Sequence, residues 1–248
     1  MTRPEAAAGV GAAHGTPPER AAAPNGGHGI AGVTDAEAFL ARLVRLDRSA
    51  PVRLRPVGTD RIAIWARLPW QVLVVRTVAG PGAGDVAVGA ADLLAELERS
   101  GSALPPRRDA QWRWPLPPAA SRPVEVLPAD EVWRIAQAAA GTLRTASEQG
   151  VGGRAVGQRA LRDALLDHVA VVVTPEDPPG PAVEVPQRLV QGLVRMGFLG
   201  TPERPGRVAD VQVRAVGRWV GLVGPYGAAW LQKGSALAVT SLTPRPNG

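Results

Sequence analysis

Four prolines within nine residues, Pro115 to Pro123 (PLPPAASRP), divide this chain more firmly than any other feature of its sequence. Proline donates no backbone N–H and fixes φ, so neither a helix interior nor a central strand runs through such a stretch. The sequence therefore predicts one unit over residues 31–115, a linker over 116–123 and a second unit over 124–235. Residues 1–30 are rich in Ala, Gly and Pro and have almost no large apolar side chain. Burial there cannot offset ordering entropy, so a disordered tail is expected, with fraying over 236–248.

Inside the first unit, Thr34-Asp35-Ala36-Glu37 reads as a capping box opening a helix. Its apolar stripe is Phe39, Leu40, Leu43, Val44 and Leu46. Pro51 ends it. Three strands follow, Val52–Val57, Arg61–Arg67 and Gln71–Val78, separated by Gly58-Thr59-Asp60 and Pro69-Trp70. A helix is expected around Ala90–Arg99, and alternating Trp112 and Trp114 suggest a short strand. The second unit reads as a short strand at Val124–Val126, a helix from about Ala129 to Gln149, a helix from about Ala155 to Asp167 and an apolar strand at Val169–Val173. A helix at Pro186–Phe198 and strands at Val208–Val216, Trp219–Val223 and Ala228–Gln232 complete it. The fold class is α+β, helices with antiparallel three-stranded units.

The two units resemble each other. Leu43-Val44-Arg45-Leu46 parallels Leu193-Val194-Arg195-Met196, and VRLRPVG (52–58) parallels VQVRAVG (211–217). Each block runs helix, strand, hairpin, with an aromatic turn (Pro69-Trp70 and Pro225-Tyr226). A repeat of this kind implies two similar halves about a pseudo-two-fold axis, an arrangement that suits a binding platform. The C-terminal order of helices, strand, helix and hairpin also resembles a winged helix over residues 129–233. On its last helix Arg188, Gln191 and Arg195 share one face opposite Leu189, Val190, Leu193 and Val194.

Composition removes whole chemistries. With no cysteine, thiolate zinc sites, disulfides and Cys nucleophiles are excluded. One His in the expected ordered part, His168, and scattered acids show no metal-ligand spacing. Asp92/Glu96 and Asp130/Glu131 lie in opening turns of helices, where negative charge complements the dipole. Gly150-Val151-Gly152-Gly153-Arg154-Ala155 fits G-x-G-x-x-A, but a helix precedes it where a phosphate cradle needs a strand. Nothing asks for a cofactor. No run approaches the ~18 apolar residues of a membrane span, and prolines and acids interrupt the first 29 residues, so a cytoplasmic protein without signal peptide is expected.

Charge is the sharpest remaining signal. The chain has 27 Arg, one Lys and net charge +6, yet residues 119–185 carry 6 Arg against 9 acids and residues 186–248 carry 8 cations against 2 acids. Two binding classes follow, beside an enzyme of unassigned class. The first is a protein-interaction or scaffold role through the exposed aromatic turns, Trp70 and Tyr226. The second is DNA binding, with Arg188, Gln191 and Arg195 reaching bases and Arg214 and Arg218 holding phosphates. Arg154 and Arg159, near a helix start, are candidate anion ligands.

Overall fold

The structure, a computed structural model, describes residues 26–149, 157–175, 179–200 and 210–234. Helix α1 (Val33–Leu46) buries Ala36, Phe39, Leu40 and Leu43, the i, i+3, i+4, i+7 set of one face. The expected Thr34 cap does not form: the N-cap is Gly32, with no side-chain bond, and Asp35 turns to another partner. Strands β1 (Pro51–Val57), β2 (Arg61–Arg67) and β3 (Leu73–Ala79) make a meander, and β4 (Val86–Gly89) runs straight into α2 (Ala90–Glu98). In the second half β5 (Arg122–Pro128) runs straight into α3 (Ala129–Gln149). Then come α4 (Gln158–Asp167), β6 (Val169–Val173), β7 (Val183–Pro186), α5 (Gln187–Arg195), β8 (Asp210–Val216), β9 (Trp219–Gly224) and β10 (Gly227–Gln232). Strands β4 and β7 were not expected. Each has four residues and passes into a helix without a turn signal between them.

Eight strands form one antiparallel sheet in the order β4-β1-β2-β3-β10-β9-β8-β5, while β6 and β7 pair separately. The order is symmetric about the central β3–β10 pair, where Leu73 faces Trp230 and Val75 faces Ala228. Each half supplies a meander preceded by a helix, and a strand–helix unit whose strand forms the outer edge. The repeat read from sequence is therefore present. The winged-helix likeness is corrected by the same topology: β9 and β10 are inner strands hydrogen-bonded on both sides, so no free wing projects.

Alternation along the strands gives the sheet two unlike faces. One carries the helices and the main core, where Leu54, Ile62, Ile64 and Val74 meet Leu40, Leu43, Leu93, Leu189 and Leu193, all essentially buried. Burying one such side chain contributes about 1.5–3 kcal/mol. The other face holds Leu73, Trp219, Ala228 and Trp230, with Trp65, Trp112, Trp114 and Leu116 packed on them. Trp112 and Trp114 are not in a strand. After a 3-10 turn at Asp109–Gln111 the chain continues as a strap behind the sheet, from the β4 edge to Arg122 at the β5 edge. The expected linker is the end of that strap. Gly221, opposite Trp230, leaves room for its indole, which a Cβ there would strike.

Ordered structure begins before residue 31. His28 is 3% exposed; its Nδ1 accepts from the Ile30 amide at 3.0 Å and its Nε2 lies 3.1 Å from the Gly101 carbonyl. Both bonds together fix the neutral tautomer with the proton on Nε2. Gly27 also bridges Ala103, so this segment is stitched to the chain after α2. The rest of the expected tails, residues 1–25 and 236–248, lies outside the described residues. Among the described residues, no helix is long and apolar enough to cross a membrane.

Candidate functional site

The end of α5 determines the local geometry of a recess on the helical side of the sheet. Gly197, at φ +71°, follows the helix, its amide bonding the Val194 carbonyl at 2.9 Å while the Phe198 amide bonds the Leu193 carbonyl at 3.0 Å. This is a Schellman closure, for which a residue without Cβ is favoured. It turns Phe198 inward, where its ring stacks on Phe39 of α1 with centroids 6.2 Å apart and planes 5° from parallel.

Above that pair lies a recess of about 260 Å³ lined by Asp35, Phe39 and Arg42 of α1, Arg76 of β3, Met196 and Phe198, and Tyr226 of the β9–β10 turn. Both halves build it. Arg76 donates to the Tyr226 carbonyl at 2.6 Å and to Asp35 Oδ1 at 2.5 Å, and its guanidinium sits 5.4 Å from the Tyr226 ring centroid. Its side chain is 15% exposed and its Nε is buried without a partner. Tyr226 stays 45% exposed. The recess thus has a wall held in place from behind, an aromatic floor and a second cation, Arg42, at its rim. Among the described residues no group of three or more His, Asp or Glu side chains is placed to hold a metal.

The other expected aromatic, Trp70, occupies the equivalent turn of the first half. It is half-buried against α5: its Nε1 donates to the Arg188 carbonyl at 3.1 Å, Arg188 Nη1 donates back to the Trp70 carbonyl at 3.1 Å, and Arg195 lies 5.9 Å over its ring. Each half's hairpin turn therefore grips a helix-side cation of the sheet's helical face.

The helix face expected to read DNA is turned largely inward. Arg188 has a 17% exposed side chain, bonds Asp167 and is desolvated, which lowers its pKa, with Asp163 acting in the opposite sense. Gln191 bonds the Ala136 carbonyl of α3 at 3.3 Å, leaving only Arg195 exposed. Arg214 bonds Ser121 and Gln212. Arg218 bonds the Lys233 carbonyl through two nitrogens, at 3.0 and 2.6 Å. Arg159 is exposed, 3.9 Å from Asp163. Arg154 and the Gly150–Ala155 motif lie outside the described residues. Of the residues lining the recess, the sequence reading singled out Tyr226 as a candidate and did not single out Asp35, Arg42, Arg76 or Phe198. A sign of those others was the glycine followed by a bulky apolar residue, Gly197-Phe198, at the end of the helix.

Residues 116–236 match the model of a family described as a domain of unknown function (DUF8185), and residues 29–114 match another, described as a domain of unknown function (DUF8010). The two matches meet at Pro115, within the strap. No curated protein matches the chain. Among solved structures, it is similar to the DNA polymerase sliding clamp from Caulobacter crescentus, with a TM-score of 0.46 and 12% identity over 87% of this chain and 68% of that one. It is also similar to the beta subunit from DNA polymerase of Streptococcus pyogenes, with a TM-score of 0.49 and 11% identity over 82% of this chain and 64% of that one. The DNA polymerase sliding clamp from Pseudomonas aeruginosa has a TM-score of 0.43 and 13% identity over 88% of this chain and 68% of that one. The chain thus spans about two thirds of the length of these structures.

Proposed function

We propose that this protein acts as a scaffold or adaptor, binding a protein partner whose bulky side chain enters the recess between the two halves. The observation that carries this reading is the pairing of a half-exposed Tyr226 with a support that is already in place. Arg76 fixes the Tyr226 backbone and faces its ring, while the stacked Phe39 and Phe198 form the base. An aromatic wall positioned before binding loses little side-chain freedom when a partner docks. Tyr and Arg are also the residue types that dominate interface hot spots. Asp35 is committed to Arg76, so the recess offers Arg42 as its rim charge beside an apolar floor.

A random peptide library displayed on phage and selected on the full chain tests this. Selected peptides are expected to bind Tyr226→Ala at least about tenfold more weakly, the loss of one well-placed contact of about 1.4 kcal/mol. Peptides that bind Tyr226→Ala and Arg42→Glu as tightly as the unaltered protein would show that the recess is not the docking site.

A further inference from the structure

The face of the sheet without helices carries its own chemistry, separate from the recess. Its centre is tryptophan: Trp65, Trp219 and Trp230 from the strands, with Trp112 and Trp114 from the strap laid over them. Trp219 and Trp230 are almost fully covered, whereas Trp65, Trp112 and Trp114 leave part of each indole in solvent. Trp112 meets Trp114 edge to face at 5.3 Å, and its Nε1 donates to the Trp114 carbonyl at 2.8 Å, so the pair is rigid.

Cations surround this cluster. Arg67 of β2 lies 4.9 Å from the Trp114 centroid. By strand register, Arg67, Leu73, Trp230, Gly221 and Arg214 form one continuous row across the same face. Arg113, exposed between the two strap tryptophans, reaches back to the Ala110 carbonyl at 3.4 Å, and Arg218 and Lys233 lie beside Trp219, two residues along the strands from that row. Among the described residues, none of Arg67, Arg113, Arg214, Arg218 and Lys233 forms a salt bridge. Elsewhere Arg53, Arg76 and Arg188, among others, have a carboxylate, while Arg42, Arg61 and Arg195 form no salt bridge among the described residues, so what sets this face apart is that its cations lie beside a cluster of indoles. Arg67 is the most telling: it is half-buried, burial lowers its pKa, and among the described residues it forms no salt bridge. A desolvated cation over an indole, with no carboxylate, is the local chemistry of an anion site beside a stacking surface.

Cations interleaved with aromatic faces suit a ligand that has both regularly spaced negative charges and flat apolar groups. We infer that the helix-free face of the sheet binds single-stranded nucleic acid: phosphates on Arg67, Arg113, Arg214, Arg218 and Lys233, and bases against Trp112 and Trp114. Duplex fits the surface less well, because its bases are already stacked on one another and cannot lie on the indoles. The site lies on the opposite side of the sheet from α5, where sequence reading had placed base contacts, and uses Arg214 and Arg218 from that reading in a new setting.

Quenching of tryptophan fluorescence in the full chain by an oligothymidylate of about 16 nucleotides reads this directly. Binding is expected at low salt, weakening steeply between about 50 and 200 mM salt as counterions are released. Arg67→Glu/Arg113→Glu is expected to weaken it by at least about tenfold and to flatten the salt dependence by about 0.7 in log–log slope for each phosphate no longer neutralised. Arg113→Glu alone, at an exposed position, is expected to show a smaller change of the same sign should the double variant fail to fold. An abasic strand of equal length is expected to bind more weakly. Absence of binding at low salt overturns the inference, as does an undiminished affinity in both variants. Polyglutamate or duplex binding as tightly as the oligothymidylate would also overturn it, reducing the surface to a simple cation exchanger. Tyr226→Ala should leave this binding unchanged, so the outcome is independent of the partner recess.

Discussion

Arg76 and Tyr226, 150 residues apart, are joined twice: the guanidinium donates to the tyrosine carbonyl at 2.6 Å and sits 5.4 Å from its ring centroid. The bond ties the last hairpin to a strand of the first half, and Asp35 completes the bridge to α1. Replacing Arg76 by Ala should cost about 1.5–3 kcal/mol, the range for buried hydrogen bonds to a charged group. Arg76→Lys should recover only part of this, since an ammonium cannot reproduce the fork of contacts. Asp35→Asn, at an exposed carboxylate, should cost under about 1 kcal/mol. Urea midpoints followed by tryptophan fluorescence distinguish the three.

Gly197→Ala places a Cβ on a residue at φ +71° and 2.9 Å from Arg42 Nε. The left-handed conformation alone disfavours an L side chain by about 1–2 kcal/mol. The expected result is a loss of that order, with weaker peptide binding as Phe198 shifts. An unchanged melting temperature would contradict the Schellman closure described for α5.

Gly221→Val would push a branched side chain into the indole of Trp230. Overpacking of this kind costs about 1–3 kcal/mol. Because Trp230 lies in the cluster behind the sheet, the near-UV circular dichroism should change along with stability. A stability loss with an unaltered aromatic spectrum would place the strain elsewhere.

His28→Leu removes the acceptor for the buried Ile30 amide and the donor to Gly101. An orphaned buried donor costs about 1–3 kcal/mol. Amide hydrogen exchange should quicken at Ile30 and at Leu104, whose amide bonds the Gly26 carbonyl. Protection that stays at the original level would count against the clasp.

Two carboxylates at the β4 edge link stability to acid. Hydrogen bonds from Arg53 at 2.6 and 2.8 Å, the largest cause, hold Asp85 below the usual carboxylate range, against an opposing push from burial. Asp109 is held low first by the Ala87 amide and then by Arg107. Depressed native pKa values mean that this stabilisation is present above the unfolded value of about 3.9 and disappears as pH falls through the native values. Both groups are largely exposed, at 42% and 46%, so screening limits each contribution to below about 1 kcal/mol. Urea midpoints should fall between about pH 5 and pH 2, and Asp85→Asn should flatten that decline.

The repeat was legible because it is written in local patterns: apolar stripes, alternating strands and two Pro-aromatic turns. What joins the halves was not, since no periodicity connects Asp35 with Arg76 or Arg76 with Tyr226. Strands β4 and β7 escaped because four residues running into a helix leave no turn to mark them. The strap escaped for a different reason. Proline density signals interrupted backbone hydrogen bonding, and a free linker and a chain packed on a sheet meet that condition equally. Arg188 and Gln191 had the spacing of a solvent face, but Asp167, Trp70 and Ala136, all remote in sequence, cover it.

The strap leaves the β4 edge, crosses behind the central strands and delivers the chain to the β5 edge, while the β3–β10 pair closes the seam in front. A chain wound in this way has a visible midpoint but no place to part. Liberating one half would strip the central strands of their pairing, lay five indoles open to water and leave each hairpin turn without the arginine of the other half that it holds. Sequence similarity divides the protein into two segments, yet heat and denaturant should meet a single object that melts once.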